Sequence, residues 1–204
     1  MSNKETIKLV LLHSSINKDR KFINSIQKEN LITYNISEYT NINELDDYIN
    51  NYNISHLTFI YHYPGYFSIP FFYRNNEDNV ENDNNEDNVE NDTYLHMNNN
   101  IVQLIKNINN PNLIIDLLSC NLNRPIFINE IKQIQNDLGV NIRYSLDQTG
   151  NNPQGNWILE SDDVNIKDLY FTEEINNWTG VLNSGRTPQD IITNLPNYFS
   201  WDEI

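Results

Sequence analysis

The fold prediction rests on two stretches, LTFIYH at 57–62 and LIIDLLSC at 113–120. Each is a short apolar run that ends in a polar side chain, His62 in the first and Cys120 in the second. Short apolar runs of this kind are typical of strands that are buried on both faces of a parallel sheet. If the two strands are neighbours, their carboxyl ends meet at one edge of the sheet, so we expect His62 and Cys120 to lie close together there.

The flanking sequence alternates between strand and helix patterns. Further strands are predicted from the apolar runs 7–12, 31–36, 140–144 and 157–159. Between the runs, apolar residues recur at helical spacing, as at positions 101, 104, 105 and 108. Such alternation indicates βαβ units. The predicted fold class is therefore α/β, a three-layer sandwich with a mostly parallel sheet.

The domain organisation is predicted from an internal repeat and from the sparsely patterned C-terminus. Residues 75–83 and 84–92 both read NNEDNVEND, which carries no aromatic residue and no base. This composition predicts a disordered acidic insertion at 75–92. The aromatic stretch 65–73 contains Pro70 and is expected to be an edge hairpin or a loop. We predict one domain over 1–182 and a peripheral tail over 183–204.

Charge and composition exclude several classes of partner. The net charge is −15, and without the eight acids of 75–92 it is still −7, from 20 acids and 13 bases. Nucleic acids and anionic membranes bind basic patches, so neither is an expected partner. No run approaches the roughly 18 apolar residues that cross a bilayer. The N-terminus carries no signal-peptide pattern, and the chain has a single cysteine. These features predict a cytoplasmic protein.

His62 and Cys120 carry the chemistry that the sequence suggests. An imidazole beside a thiol takes its proton, and the resulting thiolate attacks a carbonyl carbon. Backbone N–H groups in the loop after the strand could stabilise the oxyanion. The alternative is structural, because a lone cysteine is commonly a small buried apolar residue. We expect no metal and no cofactor: the acidic repeat matches no calcium-loop spacing, and no cluster of Cys and His suits zinc.

Several short motifs occur in order along the chain. They are YHYPG at 61–65, LLSCN at 117–121, SLDQTG at 145–150, GNWILE at 155–160 and NNWTGVL at 176–182. In this order and spacing they resemble the domain-of-unknown-function family 4347, which occurs near the N-termini of large bacterial surface and adhesin-like proteins. That family is similar in fold to caspases and gingipains. The resemblance covers most of residues 7–182 and implies a caspase-like cysteine peptidase fold.

The resemblance implies that His62 is the catalytic base and Cys120 the nucleophile. Two positions depart from the family pattern, which has glycine where this chain has Tyr63 and Ser119. Ser119 is a small change, whereas the ring of Tyr63 would narrow the cleft. Two functions follow as expectations. The first is a cysteine peptidase that acts on itself or on one protein partner. The second, favoured by Tyr63, is an inactive module of the same fold that binds a protein or peptide.

Asn121 and Asp147 complete the predicted substrate-binding set, together with Tyr63 and Ser119. Asn121 could support the oxyanion loop, although capping the following turn is its commoner use. Asp147 could orient a substrate group, although it also suits a turn beside Gly150. Both alternatives remain open from the sequence.

Overall fold

A computed structural model describes residues 4–16, 19–27, 29–36, 42–62, 72–74, 95–97, 99–123 and 125–183. Five of its strands form the central sheet: β1 (Thr6–His13), β2 (Leu31–Ile36), β3 (Asn53–Ile60), β6 (Ile114–Leu118) and β7 (Asn141–Tyr144). Six short strands lie outside it: β4 (Phe72–Arg74), β5 (Leu95–Met97), β8 (Gln148–Thr149), β9 (Gly155–Asn156), β10 (Ile158–Leu159) and β11 (Val164–Asn165).

Five α-helices connect these strands. They are α1 (Arg20–Asn24), α2 (Asp46–Asn51), α3 (Asn99–Ile108), α4 (Pro125–Leu138) and α5 (Lys167–Tyr170). Two 3-10 helices cover Ile42–Leu45 and Glu173–Asn177. Among the described residues, no helix is long and apolar enough to span a membrane.

The central sheet is parallel throughout and has the order β2-β1-β3-β6-β7. The chain moves from β1 to one side to form β2, and then returns across β1 to form β3. The direction of the crossovers therefore reverses at β1 and β3. In open parallel sheets the crevice at the carboxyl ends of such strands is the usual ligand site.

Alternation along the strands builds a core on each face of the sheet. In β1, Leu9 and Leu11 belong to one buried cluster, while Val10 and Leu12 belong to the other. The first cluster includes apolar residues of α3 and α4. The second includes Phe22 of α1 and aromatic residues from 157–178. Helices thus cover both faces, and the predicted α/β class with a parallel sheet is confirmed.

Single residues account for where α1 begins and for where α4 begins and ends. Asp19 caps α1, because its Oδ1 accepts a hydrogen bond of 3.1 Å from the Phe22 amide. Pro125 is the first residue of α4, where the missing N–H costs no helical hydrogen bond. After α4, Gly139 has a φ of +65°, the left-handed conformation in which helices commonly stop.

The predicted strand at 157–159 does not join the central sheet. Its residues 158–159 form β10, which pairs antiparallel with β11. The turn between them is short and contains Asp163 at a φ of +54°, so the nearest partner is the chain that returns at once. Strands β4 and β5 also pair antiparallel and flank the acidic insertion. The insertion itself and residues 184–204 lie outside the described residues.

A buried ion pair links the two strands at the far side of the sheet. Arg143 of β7 donates two hydrogen bonds of 2.6 Å to the carboxylate of Asp116 on β6. The hydroxyl of Tyr170 donates to the same carboxylate. Asp116 and Tyr170 are fully buried. Removing one member of such a network leaves a buried charge without its partner, a loss that typically costs about 3–5 kcal/mol.

Candidate functional site

The register of the sheet brings His62 and Cys120 to the same edge. Ile60 at the end of β3 pairs with Leu118 at the end of β6. The Tyr61 amide extends this pairing, because it donates a hydrogen bond of 3.2 Å to the Leu118 carbonyl oxygen. His62 and Cys120 each follow the paired residues by two positions. The two strands are neighbours, which is the condition under which the sequence placed both residues at one edge.

Cys120 is completely buried, with 0% of its surface exposed. Its sulfur donates a hydrogen bond of 3.8 Å to the carbonyl oxygen of Thr149. Its amide donates 3.4 Å to the carbonyl oxygen of Leu182. Burial raises the pKa of the Cys120 thiol to about 11, from an ordinary value near 9. The side chain is therefore a protonated thiol near neutral pH.

Two chain segments lie over Cys120, and we call residues 148–151 and 180–182 together the cover. They are joined by hydrogen bonds of 2.8 Å from the Leu182 amide to the Thr149 carbonyl and of 3.0 Å from the Asn151 amide to the Gly180 carbonyl. Gly150 approaches closely enough that a Cβ there would lie 2.4 Å from the Gly180 oxygen. Only glycine fits this crossing of two backbones.

Ser119 and Asn121 lie beside Cys120 in the buried loop. Ser119 is fully buried, and its Oγ has no hydrogen-bond partner within the described part of the chain. The Ser119 carbonyl oxygen accepts a hydrogen bond of 3.1 Å from the Thr149 hydroxyl. Asn121 has a φ of +57°, and its amide donates 2.7 Å to the Asp147 carbonyl. These contacts tie the loop after β6 to the segment that forms the cover.

Asp147 is partly exposed and belongs to the turn before Gly150. Its Oδ2 accepts a hydrogen bond of 3.0 Å from the side-chain amide of Asn156, and its Oδ1 lies 3.4 Å from the Ser145 hydroxyl oxygen. Burial, and then the nearby Glu160 carboxylate, raise the pKa of Asp147 above its ordinary value. These local contacts agree with the turn alternative, and they leave the predicted substrate role untested.

The backbone of His62, just after β3, contacts the segment that follows β1. Its amide donates 3.3 Å to the Ser15 hydroxyl. Its Nδ1 is buried and has no hydrogen-bond partner among the described residues. Burial lowers the pKa of His62, an effect that Asp19 opposes and His13 reinforces. Within the described ranges no hydrogen bond joins His62 to Cys120. Tyr63, the residue predicted to narrow the cleft, lies outside the described residues.

Sequence reasoning missed a polar group at the end of β1. His13 is the last residue of that strand, and its Nδ1 lies 2.9 Å from the Ser15 hydroxyl oxygen. Asp19 lies nearby and accepts 2.7 Å from the indole N–H of Trp178. The signal that could have found the group is the one used for the other two strands, since LVLL at 9–12 also ends in polar residues.

Comparisons with known proteins leave the family open. No protein-family model, curated protein or solved structure matches the chain significantly. The resemblance to family 4347 and its caspase-like assignment therefore stay predictions. No group of three or more His, Cys, Asp or Glu residues in the described ranges could hold a metal ion.

Proposed function

We propose that this domain is a binding module with a caspase-like fold in which the His62/Cys120 dyad is catalytically inactive, and that it binds a protein or peptide at the carboxyl edge of its sheet. The observation that carries the proposal is the buried, protonated thiol of Cys120. A cysteine nucleophile must be accessible and must form a thiolate. With a pKa of about 11, only about one thiol in ten thousand is ionised at pH 7.

The position of the binding surface is supported by the topology. His13 ends β1, Ser15 follows that strand, and His62 follows β3, at the point where the crossover direction reverses. Ligands of open α/β sheets bind at this position, where a few polar groups converge above a rigid scaffold. The net charge of −15 disfavours nucleic acid and anionic membrane surfaces as partners. A protein or peptide is the partner class that we propose.

A cysteine peptidase is the second candidate, favoured by the register between β3 and β6. The pairing of Ile60 with Leu118 is the arrangement that a His/Cys dyad on these two strands requires. Activity would require the cover to move, so that the thiol of Cys120 becomes accessible and approaches His62. Such an enzyme would act on itself or on a partner that displaces the cover.

Alkylation of the single cysteine distinguishes the two candidates. We would measure the iodoacetamide rate from about pH 5 to 10 for the wild type and for His62→Ala, with the protein unfolded in guanidinium as the reference for an accessible thiol. The inactive module predicts slow labelling of the folded protein that His62→Ala does not change. Fast labelling near pH 7 that collapses in His62→Ala would instead establish an activated dyad.

Binding is tested separately, using the small number of histidines. The chain has four, so their imidazole NMR signals can be followed individually while peptides selected by display are added. Binding at the proposed edge shifts the signals of His13 and His62. His56 lies within β3, away from its carboxyl end, and serves as the internal control. A selected peptide that shifts only His56, or a selection that yields no binder, contradicts the proposed surface.

A further inference from the structure

Ser15 and His13 form a pair with the geometry of a nucleophile and its base. The Ser15 amide donates a hydrogen bond of 3.2 Å to Nδ1 of His13. This nitrogen is therefore the acceptor and carries no proton. The Ser15 hydroxyl oxygen lies 2.9 Å from the same nitrogen. The hydroxyl must therefore be the donor in that contact. The His62 amide donates a hydrogen bond of 3.3 Å to the Ser15 hydroxyl oxygen. The lone pair that accepts this hydrogen bond points away from His13.

The surroundings of Ser15 differ from those of Cys120. Ser15 is exposed, whereas Cys120 is completely buried. Ser15 also lies where the crossovers reverse, between the ends of β1 and β3. A hydroxyl that is accessible, hydrogen-bonded to a neutral imidazole and located at the usual ligand crevice has the nucleophile–base contact that nucleophilic catalysis requires.

We propose that Ser15 is a nucleophile activated by His13 and accepts acyl groups from activated aryl esters. The Ser15 oxygen forms a bond to the acyl carbon while its proton passes to Nδ1 of His13. The bond from the acyl carbon to the aryl oxygen then breaks, and the phenol leaves with that proton. Water hydrolyses the acyl-serine in the same way, with His13 again accepting and returning a proton. This activity goes beyond the proposed binding function and does not depend on it.

The neighbouring backbone limits the substrates to good leaving groups. The Ser14 amide donates to the Ile36 carbonyl, and the Ile16 amide donates to the His13 carbonyl, both at 2.9 Å. Because these N–H groups already donate hydrogen bonds to backbone carbonyls, they cannot stabilise an oxyanion. Losing such donors slows acyl transfer by about 10²–10³-fold. We therefore expect reaction with aryl esters and not with amides.

The test is covalent labelling with a fluorophosphonate, which forms an O–P bond to an activated serine and releases fluoride. The labelled residue is identified by peptide mass spectrometry in the wild type, Ser15→Ala and the matched control Ser14→Ala. We expect an adduct on Ser15 that is absent in Ser15→Ala and unchanged in Ser14→Ala. We also expect p-nitrophenyl acetate to acylate the same residue.

A His13→Asn variant tests the base. Its amide oxygen can still accept the Ser15 N–H bond, but it cannot take a proton. We expect the labelling rate to fall at least about tenfold. A far-UV circular dichroism spectrum and a urea midpoint equal to those of the wild type show that each variant is folded. If Ser15 is not labelled in the folded protein, if Ser14 is labelled equally, or if folded His13→Asn reacts at the wild-type rate, the proposal is wrong. None of these results changes the Cys120 alkylation outcome, so the two proposals fail separately.

Discussion

The ends of β1 and β6 carry similar sequences but present opposite environments. Each strand is an apolar run followed by small polar residues, including Ser15 after β1 and Cys120 after β6. Ser15 is exposed and hydrogen-bonded to an imidazole, whereas Cys120 is buried and donates to a backbone carbonyl. The two proposals therefore assign the greater reactivity to the residue type that is intrinsically less nucleophilic. They do so because accessibility and hydrogen-bond partners control the reactivity of a nucleophilic side chain.

The cover produces this difference. It contains Thr149 and Leu182, whose carbonyls accept from the Cys120 thiol and amide. Ser15, at the end of β1, is exposed instead. Perturbing the cover should therefore change the β6 end and leave the β1 end as it is.

The largest expected effect comes from Gly150→Ala. Gly150 has a φ of +146°, and the new Cβ would meet the Gly180 oxygen at 2.4 Å and the Val181 Cα at 2.7 Å. Backbone strain and overpacking together should lower the free energy of unfolding by about 3–5 kcal/mol. Urea denaturation measures the loss. We also expect the iodoacetamide rate of Cys120 to rise, because the segments over it must separate.

The matched control is Gly139→Ala. Gly139 also has a positive φ, of +65°, but nothing lies within 4 Å of its Cβ position. Its cost should be about 1–2 kcal/mol from conformation alone, with Cys120 still protected. Equal losses in the two variants would show that the crossing at Gly150 contributes nothing.

The second effect is a loss of stability at alkaline pH that depends on Cys120. Because burial raises the folded-state pKa of this thiol to about 11 from near 9, its contribution is complete below about pH 9 and is lost as the pH rises toward 11. The shift corresponds to roughly 2–3 kcal/mol. Urea denaturation at pH 8, 9, 10 and 11 measures it. Subtracting the profile of Cys120→Ala removes the tyrosine contributions, and parallel profiles would contradict the raised pKa.

The smallest effect is expected at acid pH from His62, at the β1–β3 end. Burial lowers the folded-state pKa of His62 below 6.5, so its contribution is complete above that pH and is lost as the pH falls. The Asp19 carboxylate offsets part of this shift, which keeps the effect small. We would compare denaturation of the wild type and His62→Gln between pH 5 and 8. An NMR titration that gives His62 an ordinary or raised pKa would refute the prediction.

Much of the fold was predictable because it depends on local patterns. The apolar runs located all five strands of the central sheet, and helical spacing located α3. At the ends of α4, Pro125 and Gly139 act through conformational preferences that extend over only a few residues. The strand at 157–159 was assigned correctly as extended chain. Its partner was not predictable, because pairing depends on the turn that follows it.

The candidate site was predictable only in part. The positions of His62 and Cys120 at one edge followed from two strand patterns and from their being neighbours. The surroundings of Cys120 did not follow, since Thr149 and Leu182 lie 29 and 62 residues further along the chain and contact it only after folding. The pair of His13 and Ser15 was visible in the sequence, but two residues of spacing do not reveal a hydrogen bond.

Residue order alone was therefore enough for the five central strands, a mostly parallel sheet and the polar residues at strand ends, because all three depend on side-chain periodicity and backbone conformation. Burial, hydrogen-bond partners and pKa depend on which distant segments surround a group. Folding brought 148–151 and 180–182 over Cys120, and it left Ser15 exposed beside His13. Two strand ends with similar sequence patterns therefore carry a buried thiol after β6 and an exposed hydroxyl after β1.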